Sequence, residues 1–174
     1  MKKVTVVLAL IITILSINKD SDVIIPKDSI RFRVIANSDS ESDQLLKKKV
    51  VSKLNPSVIE ILSSSNSLIE SRNNIQNNLT KFDNIVKKTL EENNSKETYT
   101  INYGMNYFPK KEYKGTVYEE GEYESLVVTL GKGQGKNFWC VLFPPLCLLE
   151  REDSTKTTDV EYKSFVKEII DKYF

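Results

Sequence analysis

The chain has 174 residues, with 25 Lys plus Arg against 24 Asp plus Glu and no histidine. Balanced charge leaves no electrostatic footprint for a nucleic-acid partner. The missing histidine removes the usual neutral-pH base, the usual metal ligand and every Ser-His or Cys-His pair.

Residues 1–17 read as a leader: Lys2 and Lys3 precede 14 uncharged, mostly apolar residues, Val4 to Ile17. As a helix that run spans roughly 21 Å, short of the ~30 Å hydrocarbon core of a bilayer. Its length and flanking charge favour a secretory signal over a membrane-crossing helix. No A-x-A site and no lipobox cysteine follows, so an uncleaved N-terminal anchor through residues 4–17 stays open. Beyond the leader the charge is still balanced, at 23 basic against 24 acidic residues.

Residues 18–29 form a polar spacer containing Pro26, and residues 30–174 suit a single domain. Ile30, Phe32, Val34 and Ala36 alternate with Arg31, Arg33 and Ile35, which predicts a strand ending at Asn37. Ser38 and Glu41 have capping-box spacing, so a helix starts close by. Leu45, Leu46, Val50 and Leu54 recur at helical spacing, and Asn55-Pro56 is expected to break or kink that helix. A short piece, Ser57 to Leu62, then leads to a turn at 63–66. A long helix from about Ser67 to Glu92 carries a stripe of Leu68, Ile75, Leu79, Phe82, Val86 and Leu90, widened by Ile69 and Ile85. The stripe reads most simply as a core face.

The second half changes period. Tyr99, Ile101, Tyr103, Met105 and Tyr107 alternate with polar residues or glycine, as in a strand with one buried face. A loop rich in lysine and glycine follows. Leu126–Leu130 and Phe138–Phe143 are apolar runs of strand length. Thr158 and Glu161 have capping-box spacing before a terminal helix with an apolar stripe of Tyr162, Phe165, Val166, Ile169, Ile170 and Tyr173. The order strand–helices–strands–helix predicts an α+β fold, a small antiparallel sheet packed with helices.

Three constellations bear on chemistry. Gly131, Gly133 and Gly135 do not make a P-loop, because the spacing is one residue short and Asn137 replaces the Ser or Thr. They read as a hairpin connection between the two apolar strands. Cys140 and Cys147 lack C-x-x-C spacing. Pro144-Pro145 between them allows the chain to turn back, which leaves a disulfide or two buried thiols open. The acids Asp39, Glu41 and Asp43 cluster at a helix start, and Glu119, Glu120, Glu122 and Glu124 flank a strand. Caps and solvated faces explain both groups.

Two segments together carry a family resemblance. RFRVIANSDSESDQLLKKKV and EYESLVVTLGKGQGKNFWCVLFPPLC are similar to the stage II sporulation protein R family of endospore-forming bacteria, over roughly residues 30–50 and 121–148. The resemblance implies a protein made in the forespore and secreted into the space between the two sporulation membranes. There it would activate the membrane-embedded aspartic protease of the mother cell, the sigma-E processing peptidase that cuts pro-sigma-E. It implies a signal with no enzymatic activity and no cofactor or metal. The chain departs from the family pattern at Arg33, where histidine is expected, and at Phe138, where a second tryptophan is common.

On this reading Phe138, Trp139, Pro144 and Pro145 are candidates for a rigid apolar partner surface. Asn37, Ser38 and Asp39 are candidates for a recognition turn. The plainer alternative makes Trp139, Val141 and Leu142 core and Asn37–Asp39 a cap. Two other functions stay open: an exported hydrolase using the acidic clusters, and a membrane-anchored structural or adhesive domain.

Overall fold

A computed structural model of the chain describes residues 23–114, 116–148 and 159–174. The leader and Thr158 lie outside the described residues. The elements run β1 (Val23–Ile24), β2 (Ile30–Ile35), α1 (Glu41–Leu62), α2 (Leu68–Asn77), α3 (Leu79–Glu92), β3 (Tyr99–Phe108), β4 (Lys111–Tyr113), β5 (Thr116–Tyr118), β6 (Gly121–Leu130), β7 (Asn137–Phe143) and α4 (Asp159–Tyr173). The fold is α+β, as the order of elements predicts.

The main sheet has the order β3-β6-β2-β7. It is mixed and not antiparallel throughout: β2 runs parallel to β6 and antiparallel to β7, while β3 pairs antiparallel with β6. Parallel neighbours need a long crossover, and α1–α3 with β3 supply it between β2 and β6. Three helices cover one face. Ile30, Phe32 and Val34 of β2 and Leu126, Val128 and Leu130 of β6 meet Val50, Leu54, Val58, Ile75, Phe82 and Val86 there.

The sequence-based helix boundaries need three corrections. Ser40, not Ser38, caps α1 by accepting from the Asp43 N–H at 3.2 Å. Pro56 does not end α1, which continues to Leu62. An interior proline costs about 3 kcal/mol. Val58, Ile59 and Leu62 beyond it are each at most 8 % exposed, and burying each contributes roughly 1.5–3 kcal/mol, so packing wins. The long helix splits at Asn78, which closes α2 and opens α3 with φ −113° and ψ 9°. Its side chain donates to the Asn74 carbonyl at 2.8 Å, an asparagine competing with the helical ladder. Ile69, expected to widen the stripe, is 65 % exposed.

The other face of the main sheet is covered too. A small sheet, β1-β5-β4, and α4 lie against it. Ile25, Val141, Leu146, Tyr162 and Val166 form a second core there. The stretch 18–29 therefore does more than link, since it supplies strand β1 and the buried Ile25. The lysine- and glycine-rich loop likewise contains strands β4 and β5. Two-sided cover also buries a cation on β2: Arg31, which alternates with the apolar residues of that strand, is 3 % exposed. On β3 the expected buried face is only half-buried, at Tyr99, Ile101 and Tyr103, and Met105 and Tyr107 are exposed.

Candidate functional site

The two segments that carry the sequence signal meet at the C-terminal end of β2. Because β2 lies between β6 and β7, residues 131–136 do not form a hairpin between paired strands. They cross over the end of β2, where the backbone must come very close. Gly131 and Gly133 take φ +54° and +64°, a region that glycine enters without a Cβ penalty. A Cβ on Gly135 would collide with the Ser38 carbonyl.

Hydrogen bonds knit this crossing to the turn after β2. Gly135 N–H donates to the Ala36 carbonyl at 2.9 Å and Gln134 N–H to the Asn37 carbonyl at 3.0 Å. Lys132 N–H donates to Asn37 Oδ1 at 2.9 Å, and Lys136 N–H to Asp39 Oδ1 at 2.6 Å. Asn37 Nδ2 in turn donates to Asp43 at 3.0 Å and to Glu97 at 3.2 Å. Ser38 Oγ donates to Asp43 at 2.6 Å. These bonds, the Ser38 hydroxyl foremost, hold the Asp43 carboxyl below its ordinary pKa.

Lys47 completes the junction and was not singled out from sequence. It is buried, and its ammonium donates to Lys136 O at 2.9 Å and to Gln44 Oε1 at 2.7 Å. Burial pushes its pKa down. The signal was present: Lys47 sits three residues before Val50, on the same buried stripe as Leu54 and Val58.

Strand β7 distributes the other candidates. Phe138 and Trp139 point to opposite sheet faces. Phe138 packs edge-to-face on Phe32, 5.8 Å between ring centres, on the helical side. Trp139 packs on Phe108 at 5.3 Å on the far side, with the Arg33 guanidinium 4.7 Å from its ring centre. Pro144 and Pro145 follow the opposite end of β7; Pro144 is buried and Pro145 half-buried. The four residues are thus not brought into one patch. Arg33 and Trp139 are direct cross-strand partners.

Cys140 and Cys147 are paired in the structure, with Cα atoms 5.6 Å apart. Leu146 N–H donates to the Pro144 carbonyl at 2.7 Å, so the chain does turn back between them.

The acidic clusters are engaged elsewhere than in a shared cleft. Asp39 and Asp43 serve the junction. Glu119 pairs with Lys110 at 3.3 Å, and Tyr107 donates to Glu120 at 3.3 Å. Glu124 accepts two bonds from Arg72, at 2.8 and 2.7 Å, and one from Tyr103 at 2.6 Å. Arg72 first, then Tyr103, holds the Glu124 carboxyl below its ordinary range, against its own desolvation. Among the described residues no group of three or more His, Cys, Asp or Glu is placed to hold a metal ion. No described helix is long and apolar enough to cross a membrane.

Comparison with known proteins points in one direction. The family model described as Stage II sporulation protein R matches residues 26–170. The Stage II sporulation protein R of Bacillus subtilis (strain 168) is 36% identical over 155 residues, covering 89% of this chain and 69% of the relative. No solved structure matches.

Proposed function

The chain belongs to the stage II sporulation protein R family, with the role in sporulation that this carries, and from that premise we propose that it is a secreted intercellular signal. Made in the forespore, it acts in the space between the two sporulation membranes. It activates the membrane-embedded aspartic protease of the mother cell that processes pro-sigma-E. The observation that carries the reading is the family match, which spans nearly all of the chain beyond the leader.

Two structural features support a role in recognition. The Asn37–Asp39 turn and the 131–136 crossing form one hydrogen-bonded unit, so its outer surface is fixed before any partner arrives. Preorganised loops of this kind bind with less ordering entropy to overcome. Asp39 and Lys132 are exposed there and offer charges of both signs. The Cys140–Cys147 bond fits an oxidising space outside the forespore membrane. The leader, read as a signal or anchor, supplies export.

The test is reconstitution in a non-sporulating host that makes the protease and pro-sigma-E. Blotting follows the shortened sigma factor with and without this protein. Processing that depends on it is the expected result. No processing, with exported folded protein and a competent protease in hand, refutes the proposal.

A further inference from the structure

The far face of the main sheet carries an open pocket of about 390 Å³, independent of the junction described above. Aromatic side chains from five elements or connections line it: Phe108, Tyr113, Tyr118, Trp139 and Tyr162. Arg31 lies among them. Its position is unusual for a cation, because the residue is only 3 % exposed and none of the ion pairs among the described residues involves it. Its Nη atoms reach only the Glu119 carbonyl, each at 3.4 Å. Its Nε is buried with no hydrogen-bond partner.

Aromatic rings compensate part of that charge. The guanidinium carbon sits 3.3 Å from the Tyr123 ring centre and 5.3 Å from that of Phe108. A ring face attracts a cation, but it accepts no N–H bond in the plane of the guanidinium. The in-plane donors want a planar, bidentate anion, and carboxylate has that shape. Phosphate shares the charge but is the more strongly hydrated group, and the walls here are largely hydrocarbon. At the rim, Lys111 adds a second positive charge, 5.8 Å from the Trp139 ring centre, and Glu112 a negative one. The volume falls in the range that encloses a small ligand.

We propose that this pocket is a binding site for a carboxylate attached to an apolar, preferably aromatic, group: the acid pairs with Arg31 and the apolar part lies against Trp139 and Phe108. Such a ligand is either the C-terminal residue of a peptide or a free small acid. The inference does not depend on the signalling role proposed above.

Trp139 is the chain's single tryptophan, so its emission reports occupancy directly. The full chain is titrated with N-acetylphenylalanine and, separately, with N-acetylphenylalaninamide, which keeps the ring and loses the charge. The expected result is a saturable emission change with the acid and at least about tenfold weaker binding of the amide, the cost of losing a charge-assisted pair. Arg31→Gln is expected to erase the preference for the acid. If that variant does not fold, the acid–amide comparison on the unaltered chain still decides. A tetrapeptide ending in the same free phenylalanine separates the sources. Tighter binding than the single acid assigns a chain terminus, and equal binding a free acid; both uphold the carboxylate. Equal affinity for acid and amide, or no saturation by either below about 10 mM, overturns the proposal.

Discussion

Gly135→Ala tests whether the crossing loop and the turn after β2 form one mechanical unit. The added Cβ would overlap the Ser38 carbonyl and press on Ala36 Cβ at 3.0 Å. Both neighbours lie just past the end of a central strand, one a backbone carbonyl and the other a Cβ, and neither can swing aside as a long surface side chain does. The loop must therefore lift. Lifting breaks the Gly135–Ala36, Gln134–Asn37 and Lys136–Asp39 bonds. At about 1 kcal/mol net for each, the loss is about 3 kcal/mol. Alanine also narrows the unfolded ensemble, which returns up to about 1 kcal/mol. The expected net destabilisation is about 2 kcal/mol, or a fall of about 1 M in the urea midpoint for a slope near 2 kcal/mol/M. Unfolding is followed by Trp139 emission. Gly104→Ala is the control, because a Cβ there meets nothing within 4 Å. A Gly135→Ala midpoint within about 0.2 M of the unaltered chain would mean that the loop and the turn are not one unit.

Three further outcomes are expected. Replacing Cys140 and Cys147 together by serine removes a cross-link of separation 7, worth about 2.5 kcal/mol by loop closure; a reducing agent should shift the urea midpoint of the native chain and leave the double variant unmoved. Glu124 is held below the ordinary carboxylate pKa of 4.5, so its contribution is present above that value and lost as pH falls through the lower folded value. Glu124→Gln should therefore lower stability at neutral pH and narrow the gap to the native chain at about pH 3, as read from urea midpoints at both pH values. Asp39→Ala, on the exposed side of the junction, should reduce pro-sigma-E processing at least about fivefold in the reconstituted host at equal levels of exported protein; unchanged processing would remove Asp39 from the contact surface.

The periodicity of β2 and of the buried helical stripe was legible because each has one face against a single core. Phe82, Val86 and Leu90 fall where a spacing of three or four places them, and all are buried. Pro56 and Asn78 misled in opposite directions. At Pro56 a local penalty was outweighed by burial of Val58, Ile59 and Leu62, whose partners in the same core, such as Ile30 and Leu142, lie far away in sequence. At Asn78 no proline or glycine marks the break; one asparagine side chain turning to Asn74 suffices. Arg31 illustrates a different limit. Alternation shows that it faces away from Phe32, but not that α4 and a small second sheet close over that face. That closure depends on pairings such as β1 with β5, which join Val23 to Thr116 across about half of the chain.

Strand order explains why the two sequence segments that carry the family resemblance behave as one feature. Had β6 and β7 been neighbours, a tight hairpin would have joined them and the glycines would have served only the turn. Inserting β2 between them forces the connection over the end of β2, where the chain is leaving for α1. The crossing has no room for side chains at Gly131 and Gly135, since a Cβ at either would strike Asn37 or Ser38. The turn beneath it must present carbonyl and carboxylate acceptors to the loop's N–H groups, which Ala36, Asn37 and Asp39 do. Glycine in one segment and Asn-Ser-Asp in the other are thus two halves of one steric and hydrogen-bonding solution, set by topology. Any partner that reads this surface reads both segments at once, and a change in either half should be felt in the other.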